Sequence, residues 1–347
     1  MIKTNKYIEI VTSSNVMFSS MSKESYNNIY NVLERYYKKV RISLIDNIND
    51  LEKLVLKRPD LVFLGIKFLP SDIKLGLEDP NKIWISSYLD RYGIEYTGSG
   101  NITHNLEFNK HLAKQCVIDA NLSTSAFHVI DKNQKEINRE SISLKFPLFI
   151  KPTNRGGGIG INDKSVVHNI KDLRIKVRSI SNNLNSDSLI EEYLPGREFS
   201  VAILKNYRSN KFSIMPIELI APKNDTGDRL LSKKVKSLNL ESAIKVTDNN
   251  IKKRVSSIAI SIFSALSARD YGRIDIRLDK FGNPQFLEAN LIPSLIEGYG
   301  SFPKACMINL GLNYEYMILS IVRLGLSRKS KISDESVSIK SFVNQKN

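Results

Sequence analysis

The stretch that most restricts how this chain can fold runs from Tyr271 to Ser294, YGRIDIRLDKFGNPQFLEANLIPS. Ile274, Ile276 and Leu278 alternate with Arg273, Asp275, Arg277 and Asp279, the period-two pattern of a strand with one apolar face. Lys280-Phe281-Gly282-Asn283 supplies turn residues, of which Gly and Asn tolerate positive φ. With those residues as the loop, Asp279 pairs with Pro284 and Asp275 falls opposite Glu288, while Phe286, Glu288 and Asn290 share a face. Opposed Cβ atoms lie about 5 Å apart, where two like charges destabilise a sheet. One resolution is an open, solvated sheet face. The other is a divalent cation between Asp275 and Glu288, with Asn290 as a neutral oxygen ligand, because Mg²⁺ is commonly held by one or two carboxylates together with substrate phosphates. That second reading predicts a phosphate-binding apparatus elsewhere in the chain.

Such an apparatus is present. In KPTNRGGGIG, Lys151 ends an apolar strand just before a loop containing Gly156, Gly157 and Gly158. Glycines let backbone N–H groups approach phosphate oxygens closely, and a lysine adds a point charge. The spacing is neither that of a Walker A loop nor a G-x-G-x-x-G opening a helix, and a plain glycine hairpin is the structural alternative. Further on, LIEEYLPGREFSVAIL ends one strand in Glu191-Glu192-Tyr193-Leu194 and begins the next near Glu198. Carboxylates beside an extended backbone edge suit an adenine amino group or ribose hydroxyls. A solvated acidic hairpin would look the same.

The 347 residues are long enough for two or three domains, and 41% hydrophobic with 25% charged content is ordinary globular composition. No apolar run reaches membrane-spanning length, and the opening MIKTNKYIEIVTSS enters a strand pattern directly; a cytoplasmic location is expected. Cys116 and Cys306 stand far apart, and the four histidines do not cluster, so neither a disulfide framework nor a zinc site is expected. The net charge of +15 is spread along the chain without an aromatic-interleaved basic stripe. This favours general background charge, or attraction of an acidic substrate, over a nucleic-acid partner.

Strand and helix patterns alternate through the first hundred residues, predicting a small parallel α/β sheet. They include a helix over about 23–38, with Tyr26, Ile29, Tyr30, Leu33 and Tyr37 on its buried face, and a closing strand at IEYTGSG. A helix over about 105–120 carries Lys110 and Lys114 on one face. Residues 221–247 lack a clear pattern, as a functional lid does. Residues 250–267 form an amphipathic helix, helices follow near 302–310 and 313–324, and the polar segment after 325 reads as a mobile tail.

The order of these pieces (EYTGSG, NKHLAK, FPLFIKPTNRGGGIG, LIEEYLPGREFSVAIL, YGRIDIRLD, FLEANLIPSL) resembles the ATP-grasp superfamily, and within it the D-alanine–D-alanine ligase branch, over roughly residues 60–325. The resemblance implies an α/β and α+β protein: an N-terminal Rossmann-like domain at 1–100, a small lid subdomain at 101–185, a catalytic subdomain at 186–325 and a tail at 326–347. It implies that Lys110 and Lys151, with the glycine loop, contact ATP phosphates. Glu191, Tyr193 and Leu194 would hold adenine, and Glu198 ribose. Asp275, Glu288 and Asn290 would bind two Mg²⁺ ions, with Mn²⁺ as a substitute, while Arg273 and the Ser294 N–H would stabilise an oxyanion. The implied reaction phosphorylates a small-molecule carboxylate with ATP and lets an amine attack the acyl phosphate. A homodimer is implied as well.

Departures from the family pattern concentrate on the substrate side. VTSSNVMFSSMSKES replaces the early glycine-rich motif and its glutamate, and LGIKFLPSDIKLGLEDPNK replaces the His-Gly…Gly-Glu-Asp-Gly segment. Gly157 stands where the family has a phosphate-contacting serine, LIEGYGSFP replaces the acceptor segment, and the lid's Lys-Tyr pair is missing, with Lys233 or Lys234 as a stand-in. These changes favour a carboxylate–amine ligase for an amino acid or small peptide other than D-Ala. A true D-alanine–D-alanine ligase and a non-catalytic ATP- or polyanion-binding protein are the alternatives.

Overall fold

A computed structural model describes residues 2–225 and 227–328; most of the expected tail lies outside the described residues. The N-terminal unit runs β1 (Thr4–Thr12), α1 (Lys23–Leu33), β2 (Tyr37–Leu44), α2 (Ile48–Leu56) and β3 (Leu61–Leu64), followed by the hairpin β4 (Phe68–Pro70) and β5 (Lys82–Trp84) and by α3 (Ile85–Arg91). Its parallel sheet has the order β2-β1-β3, as the alternating pattern predicts. Helix α1 is shorter than its apolar periodicity suggested. It ends at Leu33, and Tyr37 begins β2, where it pairs with Thr4. The expected strand at IEYTGSG contributes only a bridge between Val62 and Tyr96.

Two short helices, α4 (Asn101–Phe108) and α5 (Lys110–Asp119), replace the single helix expected over 105–120. The break is at Asn109, whose φ of −98° and ψ of 87° lie outside the helical region. It frees the Lys110 N–H to donate to the Thr153 carbonyl at 3.1 Å, tying α5 to the glycine-loop strand. Next come β6 (Phe127–Ile130), β7 (Leu148–Pro152), β8 (Val166–Val167), α6 (Ile170–Leu184) and β9 (Ser188–Glu192). These four strands form a sheet in the order β6-β9-β7-β8. The division expected at residue 185 therefore cuts this sheet, because the backbone groups of β9 are satisfied by β6 and β7 and not by the strands that follow.

The largest sheet is antiparallel and built from β10 (Glu198–Lys205), β11 (Phe212–Ile220), β12 (Ser242–Lys245), β13 (Tyr271–Leu278) and β14 (Pro284–Asn290), in the order β12-β11-β10-β13-β14. Between β11 and β13 lie α7 (Lys233–Ser237) and α8 (Asn249–Ala265), so the unpatterned stretch contains a short helix and an edge strand. Helix α8 is capped by Asp248 and buries Val255, Ala259, Ile262 and Phe263 against Ile274 and Ile276 of β13. Each such large apolar side chain contributes about 1.5–3 kcal/mol on burial.

The chain ends with α9 (Ser301–Leu310) and α10 (Tyr314–Leu326). Met317, Ile318 and Ile321 of α10 join Ile8, Ile10 and Phe63 in one core, so the last helix returns to the N-terminal sheet. Among the described residues no single helix is long and apolar enough to cross a membrane, and α9 and α10, which together pass that test, meet at 105°.

Candidate functional site

The hairpin of β13 and β14 does place Asp275 opposite Glu288, but by a route the sequence pattern did not show. Leu278, not Asp279, pairs with Pro284, and Ile276 pairs with Phe286. Leu287 is the extra residue of a β-bulge, and it restores the Asp275–Glu288 pairing. Phe286 consequently turns into the apolar core, whereas Leu287, Glu288 and Asn290 line a cavity. Sharing a face was wrong for Phe286 because the bulge changes which residues point the same way.

That cavity, about 810 Å³, lies between the two antiparallel sheets and reaches the N-terminal unit. Lys151, Gly156, Gly157, Glu191, Tyr193, Leu194, Glu198, Arg273, Asp275, Glu288, Asn290 and Ser294 all line it. Lys110 and Gly158 stand behind its wall. Lys110 Nζ donates to the Arg155 carbonyl at 2.6 Å and lies 3.9 Å from Glu288 Oε2. Gly158, at φ +77°, packs so closely on α7 that a Cβ would meet the Lys233 backbone nitrogen at 2.8 Å.

Three buried side chains organise the phosphate end. Glu191 takes Lys114 Nζ at 2.5 Å and Ser125 Oγ at 3.0 Å on Oε1, and Lys151 Nζ at 2.8 Å on Oε2. This engagement makes Glu191 the counter-ion of Lys151 instead of a free acceptor, a correction to the adenine contact expected of its carboxylate. Burial raises its pKa, but Lys114 and Lys151 outweigh that and hold it at about 2. For Lys151, burial is likewise outweighed, here by Glu191 and Glu288, and the ammonium stays charged with a raised pKa. Burial depresses Lys110 and Lys114 to about 8.

Asp275 is held by Arg273, with Nε–Oδ1 at 3.0 Å and Nη2–Oδ2 at 2.9 Å, and by Ser200 Oγ at 2.8 Å. Asn290 Nδ2 donates to Asp275 Oδ2 at 3.0 Å, which leaves the Asn290 carbonyl oxygen free for another partner. Glu288 accepts no hydrogen bond among the described residues; burial opposes its charge, yet Lys110, Lys151, Lys236 and Arg273 hold it at about 2. Among the described residues no three His, Cys, Asp or Glu side chains gather as a metal site. Two opposed carboxylates and one amide oxygen nevertheless form the hard donor set that suits Mg²⁺ with phosphate oxygens completing its shell.

One step further along the same face, Glu198 meets Arg277 Nη1 at 3.2 Å, and its pKa is raised by burial. The Arg277 guanidinium also lies 5.3 Å from the Tyr193 ring centroid. Arg277 was not assigned to the site from sequence, although its i+2 relation to Asp275 puts it on the same face. Lys114 gave a similar signal, one turn after Lys110. Lys236 gave none: α7 turns Lys233 and Lys236 toward the cavity, and Lys234 is absent from its wall.

Comparison with known proteins bears on the family and the fold. Residues 117–323 match the family model described as D-ala D-ala ligase C-terminus. The chain is 27% identical to a D-alanine–D-alanine ligase of Aquifex aeolicus over 270 residues, 78% of this chain and 84% of that one. It is 28% identical to an uncharacterised protein of Sinorhizobium fredii over 242 residues, 69% of this chain and 68% of that one. Its fold is that of the D-alanine–D-alanine ligase from Bacillus anthracis complexed with ATP, with a TM-score of 0.73 at 19% identity, over 95% of this chain and 100% of that one. The chain therefore belongs to the D-alanine–D-alanine ligase family of ATP-dependent carbon–nitrogen ligases.

Proposed function

We propose that the protein activates a small carboxylate other than D-alanine with ATP and joins it to an amine. One observation carries this reading: Lys151, the opposed carboxylates and Arg273 share a continuous cavity with an N-terminal loop of changed chemistry. ATP lies with its adenine along residues 192–194 and its ribose at Glu198. Lys151, Lys110 and the backbone of Gly156 and Gly157 hold its phosphates, and Lys236 closes over them from α7. Mg²⁺ or Mn²⁺ held by Asp275, Glu288 and Asn290 supplies neutralisation of phosphoryl charge. A substrate carboxylate oxygen attacks the γ-phosphorus and ADP leaves. The amine nitrogen then attacks the acyl carbon, inorganic phosphate departs with the C–O bond electrons, and the amine loses a proton. Arg273 and the Ser294 N–H face the oxyanion of that step.

Support for a substrate other than D-alanine comes from Val16, Met17, Phe18, Ser19 and Ser20, the cavity-lining part of the β1–α1 loop, which carries no acid. The names of the curated relatives favour D-alanine instead. Phosphate release from Mg·ATP across L- and D-amino acids and small acids, with an Asp275→Ala, Glu288→Ala double variant in parallel, decides between them. Release stimulated by another acid and lost in the variant supports the proposal; release stimulated by D-alanine alone refutes it.

A further inference from the structure

Glu107 of α4 lines the cavity with its side chain 4% exposed. Its Oε1 takes Lys67 Nζ at 2.9 Å and the Leu291 N–H at 2.9 Å. Its Oε2 is buried without a hydrogen-bond partner. An ionised carboxylate has lone pairs for about four donors, and a buried oxygen left unmatched is costly. Leu291 directly follows Asn290, so this open acceptor stands beside the reacting centre.

The wall beside it is largely aromatic, with Ser19 and Ser20 among its polar members and Lys82 Nζ 5.1 Å from the Phe108 ring centroid. The rings of Phe18 and Phe68 meet edge-to-face at 6.3 Å, and those of Phe68 and Phe108 at 4.9 Å. Val16 and Met17, 86% and 57% exposed, stand at the rim. A bridge between Ser19 and Ile66 and the Ser20 N–H bond to the Gly65 carbonyl at 2.7 Å pin this loop to the end of β3.

We propose that the carboxylate substrate is an amino acid with a bulky apolar side chain, its ammonium held by Glu107 Oε2 and its side chain laid against Phe18 and Phe108. The inference rests on reading this cavity as the carboxylate substrate's site. Lys67 already neutralises one oxygen of Glu107, and the ammonium completes the other. The substrate carboxylate then points along β14 toward Arg273. A methyl side chain would leave the aromatic wall wet. Each further buried methylene favours binding by about fourfold, so leucine should exceed alanine by at least about tenfold.

The test is equilibrium binding, by calorimetry, of L- and D-alanine, leucine and phenylalanine to the full chain with Mg²⁺ and a non-hydrolysable ATP analogue. The des-amino acids 4-methylpentanoate and 3-phenylpropanoate are included. Leucine or phenylalanine should bind at least about tenfold more tightly than alanine and than its own des-amino analogue. Glu107→Gln, which keeps the Oε1 acceptor for Lys67 and Leu291, should weaken the amino acids about tenfold or more and spare the des-amino acids. Phe108→Ala, at a half-buried position, should shrink the leucine-to-alanine ratio. Equal binding of alanine, equal binding of the des-amino acids, or no binding at all overturns the inference. Phosphate release measured alongside separates the two readings. Binding in the expected order without release refutes the ligase reading, and with it the role of substrate, while upholding the contacts assigned to Glu107 and Phe108; release with alanine preferred refutes this inference alone.

Discussion

Lys114 Nζ lies 2.5 Å from Glu191 Oε1, and both side chains are almost wholly buried. Glu191 in turn grips Lys151, so Lys114 positions a phosphate-binding lysine through an intermediary. Removing one partner of a buried ion pair typically costs about 3–5 kcal/mol, because the remaining charge is stranded. Glu191→Ala leaves two stranded ammoniums, and its loss in urea unfolding should fall at the upper end of that range. The folded pKa of Glu191 is about 2 against an ordinary 4.5. Its stabilisation is complete above pH 4.5 and disappears as pH falls toward 2. Glu191→Gln should flatten that part of the stability–pH curve, and an unchanged curve would show that the triad contributes nothing.

Lys110 makes a different prediction in alkali. Burial holds it near 8, so the free protein loses this charge well before an exposed lysine would. The value of kcat/KM for ATP should therefore decline above pH about 8, and Lys110→Arg should move the decline upward. Stability has the opposite sign: between about 8 and 10.5 the unfolded chain retains a proton the folded chain has released, so folding grows more favourable with pH. Lys114 adds to the same trend. Parallel pH series of turnover and thermal unfolding check both signs.

Metal removal tests the hairpin. EDTA should abolish phosphate release, and Mg²⁺ or Mn²⁺ should restore it. Asn290→Ala should raise the metal concentration needed for half-maximal release by at least about tenfold, since even outer-shell changes cost 10–100-fold. An unaltered metal requirement would remove Asn290 from the ligand set.

The glycine loop predicts two different lesions. A Cβ at Gly156 meets nothing within 4 Å of the protein, so Gly156→Ala should keep its Tm and raise KM for ATP, because only a phosphate would feel the methyl group. Gly158→Ala forces a methyl into the Lys233 backbone at positive φ and should lower Tm as well. Identical losses of stability in the two variants would argue that the loop is structural and not a phosphate cradle.

Local pattern determined much of this protein. Period-two alternation in 273–278 placed Arg273 and Asp275 on one face and Ile274 and Ile276 on the other, and the structure keeps both. The apolar spacing of α8 was equally legible, because it depends on neighbours within a few residues. Three features were decided only by tertiary contact. Tyr37 continues the helical spacing of α1, yet it pairs with Thr4 once β1 lies beside it. Phe286 leaves the face of Glu288 because the bulge at Leu287 forms against β13. Glu191 becomes the partner of two lysines, although β6, β7, α5 and β9 are separated by long stretches of chain. A strand's own residues dictate which side chains alternate. Register, bulges and the pairing of buried charges depend on which segments meet, and closing those long loops is rewarded only by the assembled core.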